Sequence, residues 1–341
     1  MTRHCKRSDN TSTRTRPNGN RITTTPQTTQ QENLSMRSVT FEGVFPILVT
    51  PFDDEGDLDL ASFDRTIRFM ADIGVDGVTI IGVLGESNRM KDSEREELIR
   101  TAVFAADDRI PVIVGTSHSG TEVTRDLSQM AESLGAGGVM VTPSHEPVPN
   151  EGCIFDYFAQ VAEGISIPVV VQDHPASTQV HMSVDLLLRL VNEIELVSCI
   201  KEEAVPTPPK ITNLLNGMTG RTVSILTGLG ALYGGFDLAR GSHGFMTGFA
   251  FPEVLIAMVR SARQKQFDKV NELYHRYLPL IVFEQQPGVA VRKEIFRLRG
   301  LIKTSTVRHP GANIDAHTNE RLADLLNSIL PDTNLTKPLE I

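Results

Sequence analysis

From Gly43 onward, short apolar runs alternate with longer amphipathic segments. The runs are "GVFPILVTPF", "GVTIIGVLG", "PVIVGTS", "GGVMVTP", "PVVVQDHP", "LVSCIKEE", "VSILTGL" and "HGFMTGFA". They are rich in Val and Ile and nearly continuous, which marks strands buried on both faces, as in a parallel sheet covered by helices. Between them, "DLASFDRTIRFMADIG", "DSEREELIRTAVFAAD", "TEVTRDLSQMAESLG" and "MSVDLLLRLVNEI" carry helical spacing. Eight such units predict an α/β fold of the (β/α)8 TIM-barrel type. A doubly wound open sheet is the alternative, but the first turn lacks the G-x-G-x-x-G fingerprint such a sheet would carry for a dinucleotide.

After the eighth unit only helical patterns follow: "EVLIAMVRSARQKQFDKVNELYHRYLPLIVFEQ", "GVAVRKEIFRLRG" and "NERLADLLNSIL". The expected organisation is a barrel over 41–263, a C-terminal helical appendage over 264–331 and a polar tail over 332–341 that frays. Residues 1–37 are rich in Thr, Arg, Asn and Gln and almost lack large apolar side chains. Such a segment buries too little surface to offset its ordering entropy and reads as disordered. Its basic, hydroxyl-rich character permits an organelle-targeting reading, without the amphipathic face that would support it. Met36, just before the folded part, is a candidate for the true start.

Composition narrows the function classes. The 341 residues are 40% apolar and 22% charged, ordinary for a soluble globular chain able to bury a large core. The net charge of -9 argues against nucleic acid as a general partner, and no apolar run is long enough for a membrane helix. Cys5, Cys153 and Cys199 are odd in number and far apart, which fits neither a disulfide framework nor a zinc cluster and points to a reducing, cytoplasmic setting.

A TIM barrel places its chemistry at the C-terminal ends of the strands. In chain order these supply Thr50 and Pro51; Gly82, Gly85 and Glu86; Thr116 and Ser117; Thr142, Pro143 and His145; Gln172, Asp173 and His174; Lys201 and Glu203; Gly228 and Gly230; Thr247 and Gly248. Only one is a lysine. From composition alone Lys201 reads as a surface cation paired with a neighbouring glutamate. At the mouth of a barrel it would instead be a desolvated amine, more easily neutral and nucleophilic toward a carbonyl. Side chains alternate along a strand, so Glu203 should share its face and Glu202 should not.

Taken in order, "FPILVTPF", "GVLGES", "PVIVGTS", "GAGGVMVTP", "PVVVQDHP", "CIKEE" and "GFMTGFAFPE" resemble the dihydrodipicolinate synthase / N-acetylneuraminate lyase family, from about Gly43 to Ile329. The resemblance implies a (β/α)8 barrel, an assembly of two or four identical subunits, no cofactor and no metal. It also implies a small 2-oxo acid substrate held as a Schiff base on Lys201. The departures are informative. Gln172 and Asp173 stand in "QDHP" where the family usually has the Tyr and Asn of "YNxP", so the usual proton-relay phenol is missing. Val83 and Leu84 replace hydroxyls that normally meet the substrate carboxylate, His145 falls at the place of a tyrosine often lent to a neighbouring subunit, and Ser177 stands where a dihydrodipicolinate synthase has arginine. Gly230 and Ala231 replace the acidic pair with which sialic acid lyases hold a polyol.

The "QD" substitution resembles the 2-oxo-3-deoxy sugar acid dehydratases of the family. The expected activity is therefore a lyase of that kind, dehydratase or aldolase. A synthase-like or sialic acid lyase-like pyruvate aldolase is the alternative, and a non-catalytic 2-oxo acid sensor is a reading from another class. Expected catalytic residues are Lys201, Glu203, Gln172 and His145, with His174 a second choice as proton carrier. Expected substrate contacts are Thr50, Gly82, Val83, Leu84, Thr116, Asp173, Gly228 and Thr247. Glu86 is expected to tie its loop to backbone. A metal hydrolase would need paired histidines on the first strand, and "FPILVTPF" has none.

Overall fold

The computed structural model describes residues 39–146, 150–286 and 288–341. The expectations for residues 1–37, including the start at Met36, lie outside them. The described residues form eight strands: β1 (Gly43–Pro46), β2 (Val78–Ile80), β3 (Val112–Gly115), β4 (Gly138–Val141), β5 (Val169–Asp173), β6 (Val197–Glu202), β7 (Ser224–Thr227) and β8 (Gly244–Thr247). All neighbours pair in parallel in the order β1-β8-β7-β6-β5-β4-β3-β2. A parallel bridge between Ile47 and Thr79, with Leu48 N–H donating to Thr79 O at 2.9 Å, closes β1 on β2. The fold is a (β/α)8 TIM barrel with a C-terminal helical part.

The outer layer comprises α1 (Leu60–Asp72), α2 (Asp92–Ala106), α3 (Thr121–Ser133), α4 (Glu151–Glu163), a single turn α5 (Pro175–Thr178), α6 (Val184–Glu193), α7 (Thr207–Gly217), α8 (Gly234–Ala239) and α9 (Pro252–Arg263). Helices α10 (Phe267–Gln285), α11 (Val289–Leu298) and α12 (Ala316–Ile329) follow. Local chemistry starts several of them. Asp59, Asn150, Ser183 and Asp315 accept hydrogen bonds from backbone N–H groups in the first turns of α1, α4, α6 and α12, donors that no intrahelical carbonyl can satisfy.

Strand alternation divides the apolar residues into two cores. Phe45, Ile47, Ile113, Met140, Val170, Cys199, Leu226 and Met246 fill the interior of the barrel. Val44, Val112, Val114, Val139, Val141, Val169, Val171, Ile200, Ile225 and Phe245 point outward into the layer shared with the helices. Both faces are dry, which is why the strands read as unbroken apolar runs. The polar tail does not fray throughout: Leu335 and Leu339 pack on the core, and Leu339 N–H donates to Glu253 Oε1 at 3.2 Å. Among the described residues no helix is long and apolar enough to cross a membrane.

Candidate active site at the mouth of the barrel

The two strands that matter most lie side by side. Their register sets Gln172 of β5 opposite Lys201 of β6, and Asp173 opposite Glu202. Since Val170 and Cys199 point into the barrel, two residues further on Gln172 and Lys201 do too. Lys201 is 4% exposed, so it is not a surface cation. Its ammonium lies 3.0 Å from Glu203 Oε2. That same oxygen accepts a 2.7 Å hydrogen bond from Gln172 Nε2, while Oε1 accepts from Leu229 N–H at 2.9 Å. Burial acts to raise the Glu203 pKa, but the charges of Lys201 and His174 and the Leu229 and Gln172 donors outweigh it, holding the carboxyl below its ordinary value. Glu203 is thus an ionised carboxylate, oriented by two neutral donors and touching the one buried amine of this cluster.

Space for Glu203 comes from Gly228, the inward position just past β7. A methyl there would lie 2.2 Å from Glu203 Cγ. Gly228 therefore serves by having no side chain, and Leu229, the next residue, supplies the N–H. That donor is backbone and was not among the expected residues. His174 follows β5, half-buried, with Nδ1 2.7 Å from Ser177 Oγ. Burial, helped by the Lys201 charge, pushes its imidazole below the usual histidine value against the pull of Glu203 and Asp173.

Several expected contacts lie elsewhere. Asp173 faces out of the barrel, where its carboxylate pairs closely with Lys210 of α7. Lys210 also stands 4.0 Å from Glu202 and donates to Met182 O at 2.8 Å. Thr116 has the outward parity of Val112 and Val114, and its hydroxyl bonds Ser128 of α3 at 2.9 Å. Thr247 has the parity of Phe245 and is likewise turned from the interior. His145 is exposed on the loop after β4. The physical reason is common to the strand residues: every second side chain at a strand end belongs to the outer layer.

The loop after β2 supplies the wall opposite β6. Gly82 precedes a 3-10 turn over Val83–Gly85, with Val83 59% exposed and Leu84 packed against the inner core. Thr50 does not meet the cavity as a free hydroxyl; it donates to Gly85 O at 2.8 Å and pins this turn. Glu86 ties the loop down chiefly through charge rather than through the expected backbone amides: it accepts from Arg89 at 2.7 Å, pairs closely with the buried Lys293, and takes one backbone donor, Arg308 N–H at 3.0 Å.

Comparison with known proteins follows the same outline. The model of the dihydrodipicolinate synthetase family matches residues 40–329. L-2-keto-3-deoxyarabonate dehydratase of Azospirillum brasilense is 35% identical over 294 residues, 85% of this chain and 94% of that protein. A dihydrodipicolinate synthase of Rhodopseudomonas palustris superposes with a TM-score of 0.81 at 35% identity, covering 84% of this chain and 97% of its own. A prophage protein of E. coli K12 from the dihydrodipicolinic acid synthase family, solved in complex with pyruvate, gives 0.78 at 26% identity, covering 85% and 98%.

Proposed function

The chain belongs to the dihydrodipicolinate synthetase family and is a class I lyase, and from that premise we propose that it dehydrates a 2-oxo-3-deoxy sugar acid through a Schiff base on Lys201. The observation that carries this reading is the buried Lys201–Glu203–Gln172 cluster, in which a carboxylate takes the place of a phenol as the amine's proton partner. Two of the tyrosines illustrate the difference: the Tyr157 hydroxyl is engaged with Thr124 at 2.9 Å and that of Tyr274 with Leu232 O, so neither serves this cluster.

The chemistry follows from the atoms present. Lys201 gives a proton to Glu203 and its amine attacks C2; Glu203 returns that proton to the departing oxygen, water leaves, an iminium forms and Glu203 is a carboxylate again. The cation makes the C3 proton acidic, a base removes it, and the electron pair moves toward nitrogen as an enamine. Glu203, within reach of the amine and ionised, is the proposed base. The enamine then expels the C4 hydroxyl, with the proton that Glu203 has acquired completing the water molecule. Hydrolysis of the conjugated iminium frees Lys201. Gln172, an amide, orients Glu203 and cannot itself serve as base. The resemblance to the A. brasilense dehydratase supports the choice of substrate class.

A second reading is carbon–carbon bond formation or cleavage on the same iminium, supported by the similarity to the R. palustris synthase. The deciding experiment incubates the protein with pyruvate or with 2-oxo-3-deoxypentonates, reduces with borohydride and weighs the protein, then analyses the unreduced products. Dehydration gives a product lighter by one water, and cleavage gives pyruvate and an aldehyde. An adduct without turnover would mark a sensor. No adduct with any of them, or an adduct that survives Lys201→Ala, refutes the Schiff base. We also propose an assembly of two or four subunits on the strength of the resemblance; light scattering on the eluted protein tests it.

A further inference from the structure

Four cations are buried among the described residues: Lys201, Arg292, Lys293 and Arg299. Lys293 is committed to Glu86 and to Thr306 O. Arg299 is committed to Glu253 and to Ala250 O. Arg292, near the start of α11 and 4% exposed, is not: its Nε donates to Glu284 Oε2 at 2.9 Å, and neither Nη nitrogen has an acceptor among the described residues. A guanidinium carries five N–H donors in a fixed fork, so four of these are unspent. Neither Nη nitrogen is among the buried polar atoms left without a partner, so these donors are not sealed from water and are open to an acceptor that arrives from outside.

Two glycines locate the fork. Gly248 has the inward parity of Met246, and a methyl on it would meet Leu84 Cδ1 at 2.0 Å and Arg292 Nε at 3.5 Å. A methyl on Gly230 would lie 3.0 Å from Arg292 Nη2. The guanidinium therefore lies across the ends of β7 and β8 inside the mouth. It is next to the residue whose neighbour, Leu229, donates to Glu203, and beside the Leu84 turn. Its partner is a weak counter-ion: burial pushes the Glu284 carboxyl up to about 7 in spite of Arg292.

We propose that Arg292 anchors the carboxylate of the 2-oxo acid, holding C2 for attack by Lys201. The inference rests on the Schiff-base reading above. Every 2-oxo acid presents an anion beside its ketone. Lys201 must give up its proton to attack that ketone, whereas Arg292 is a buried cation at the mouth that keeps its charge and has planar donors to spare. Two parallel N–H groups match a carboxylate edge.

The test compares borohydride trapping of pyruvate with trapping of pyruvamide, in which a neutral amide replaces the carboxylate. The native protein is expected to reach half-maximal adduct at a roughly 10- to 100-fold lower concentration of pyruvate than of pyruvamide, the range of a hydrogen bond to a charged group. Arg292→Met should abolish that preference while leaving pyruvamide trapping unchanged. Because that substitution strands Glu284 in the core, the double variant Glu284→Gln/Arg292→Met is measured beside it and should show the same loss at a melting temperature near native; Glu284→Gln alone should keep the preference. If either Arg292 variant retains the preference, or loses both substrates equally, the inference is overturned and the Schiff-base reading stands. If the native protein forms no adduct with either compound, both fall.

Discussion

Gln172 and Glu203 are joined across the ends of β5 and β6 by a 2.7 Å hydrogen bond to the same carboxylate oxygen that touches Lys201. One oxygen thus receives a neutral donor and a charged one. Removing the negative charge while keeping the shape isolates the proton-carrying role. Glu203→Gln is expected to lower kcat by about 10²- to 10⁴-fold, the usual range for a positioned acid–base group. It should still accumulate a borohydride-trapped adduct on long incubation. Steady-state rates and intact mass measure the two effects separately, and unchanged turnover would remove Glu203 from the mechanism.

Gly228 is a position where one methyl group should suffice. Placed 2.2 Å from Glu203 Cγ, an added methyl would push the carboxylate off Lys201 or spread β7 from β6. Overpacking of this kind costs about 1–3 kcal/mol. Gly228→Ala should therefore lose most turnover at a modest cost in urea midpoint. Full activity would mean that the Glu203 position is not needed.

Behind the barrel wall, Lys210 is the cation for two carboxylates. Asp173 Oδ1 and Glu202 Oε2 have no hydrogen-bond partner, and burial raises both pKa values, that of Glu202 well above its ordinary range even with Lys210 beside it. Lys210→Met should destabilise by about 3–5 kcal/mol, the cost of stranding buried charge. Protein that remains folded should keep its trapping by Lys201, because the outward pair is not in the site. A loss of trapping in a folded variant would return Asp173 to the substrate contacts.

Asp237 sets a pH dependence. It is fully buried, accepts from Thr207 Oγ1 at 2.8 Å, and burial raises its carboxyl to about 6. The folded state therefore holds this proton more tightly than the unfolded chain, whose aspartate titrates near 3.9. The resulting stabilisation is fully present below about pH 4 and is lost as pH rises through about 6. Its size is about 3 kcal/mol at 1.36 kcal/mol per unit. Asp237→Asn should flatten the stability profile between those values in chemical denaturation at a series of pH values; an unchanged slope would locate the titration elsewhere.

The barrel was legible in the chain because strands buried on both faces are written as unbroken Val and Ile runs. Lys201 stood out as the single strand-end lysine, and Glu203 followed from a period of two. The same period, had it been applied to every strand, would have turned Asp173, Thr116 and Thr247 outward with Val171, Val114 and Phe245. Nearness to a strand end does not bring a side chain into the cavity where parity decides the face. Leu229 acts through its backbone, so no side chain announces it. Arg292 was illegible for another reason: it comes from α11, far along the chain, and reaches the mouth through gaps left by Gly230 and Gly248. Absent side chains mark such a place, and only the folded chain shows what fills it.

The division of each strand end into inward and outward residues separates two kinds of heritable change. Substitutions at Gln172, Gly228 or Gly248 alter which atoms a bound molecule meets while leaving the anchorage of the helices alone. Substitutions at Asp173, Thr116 or Thr247 do the reverse. A scaffold partitioned in this way can exchange one reaction for another through alternate codons, and the chain's phenol-free fifth strand has the form such an exchange would leave.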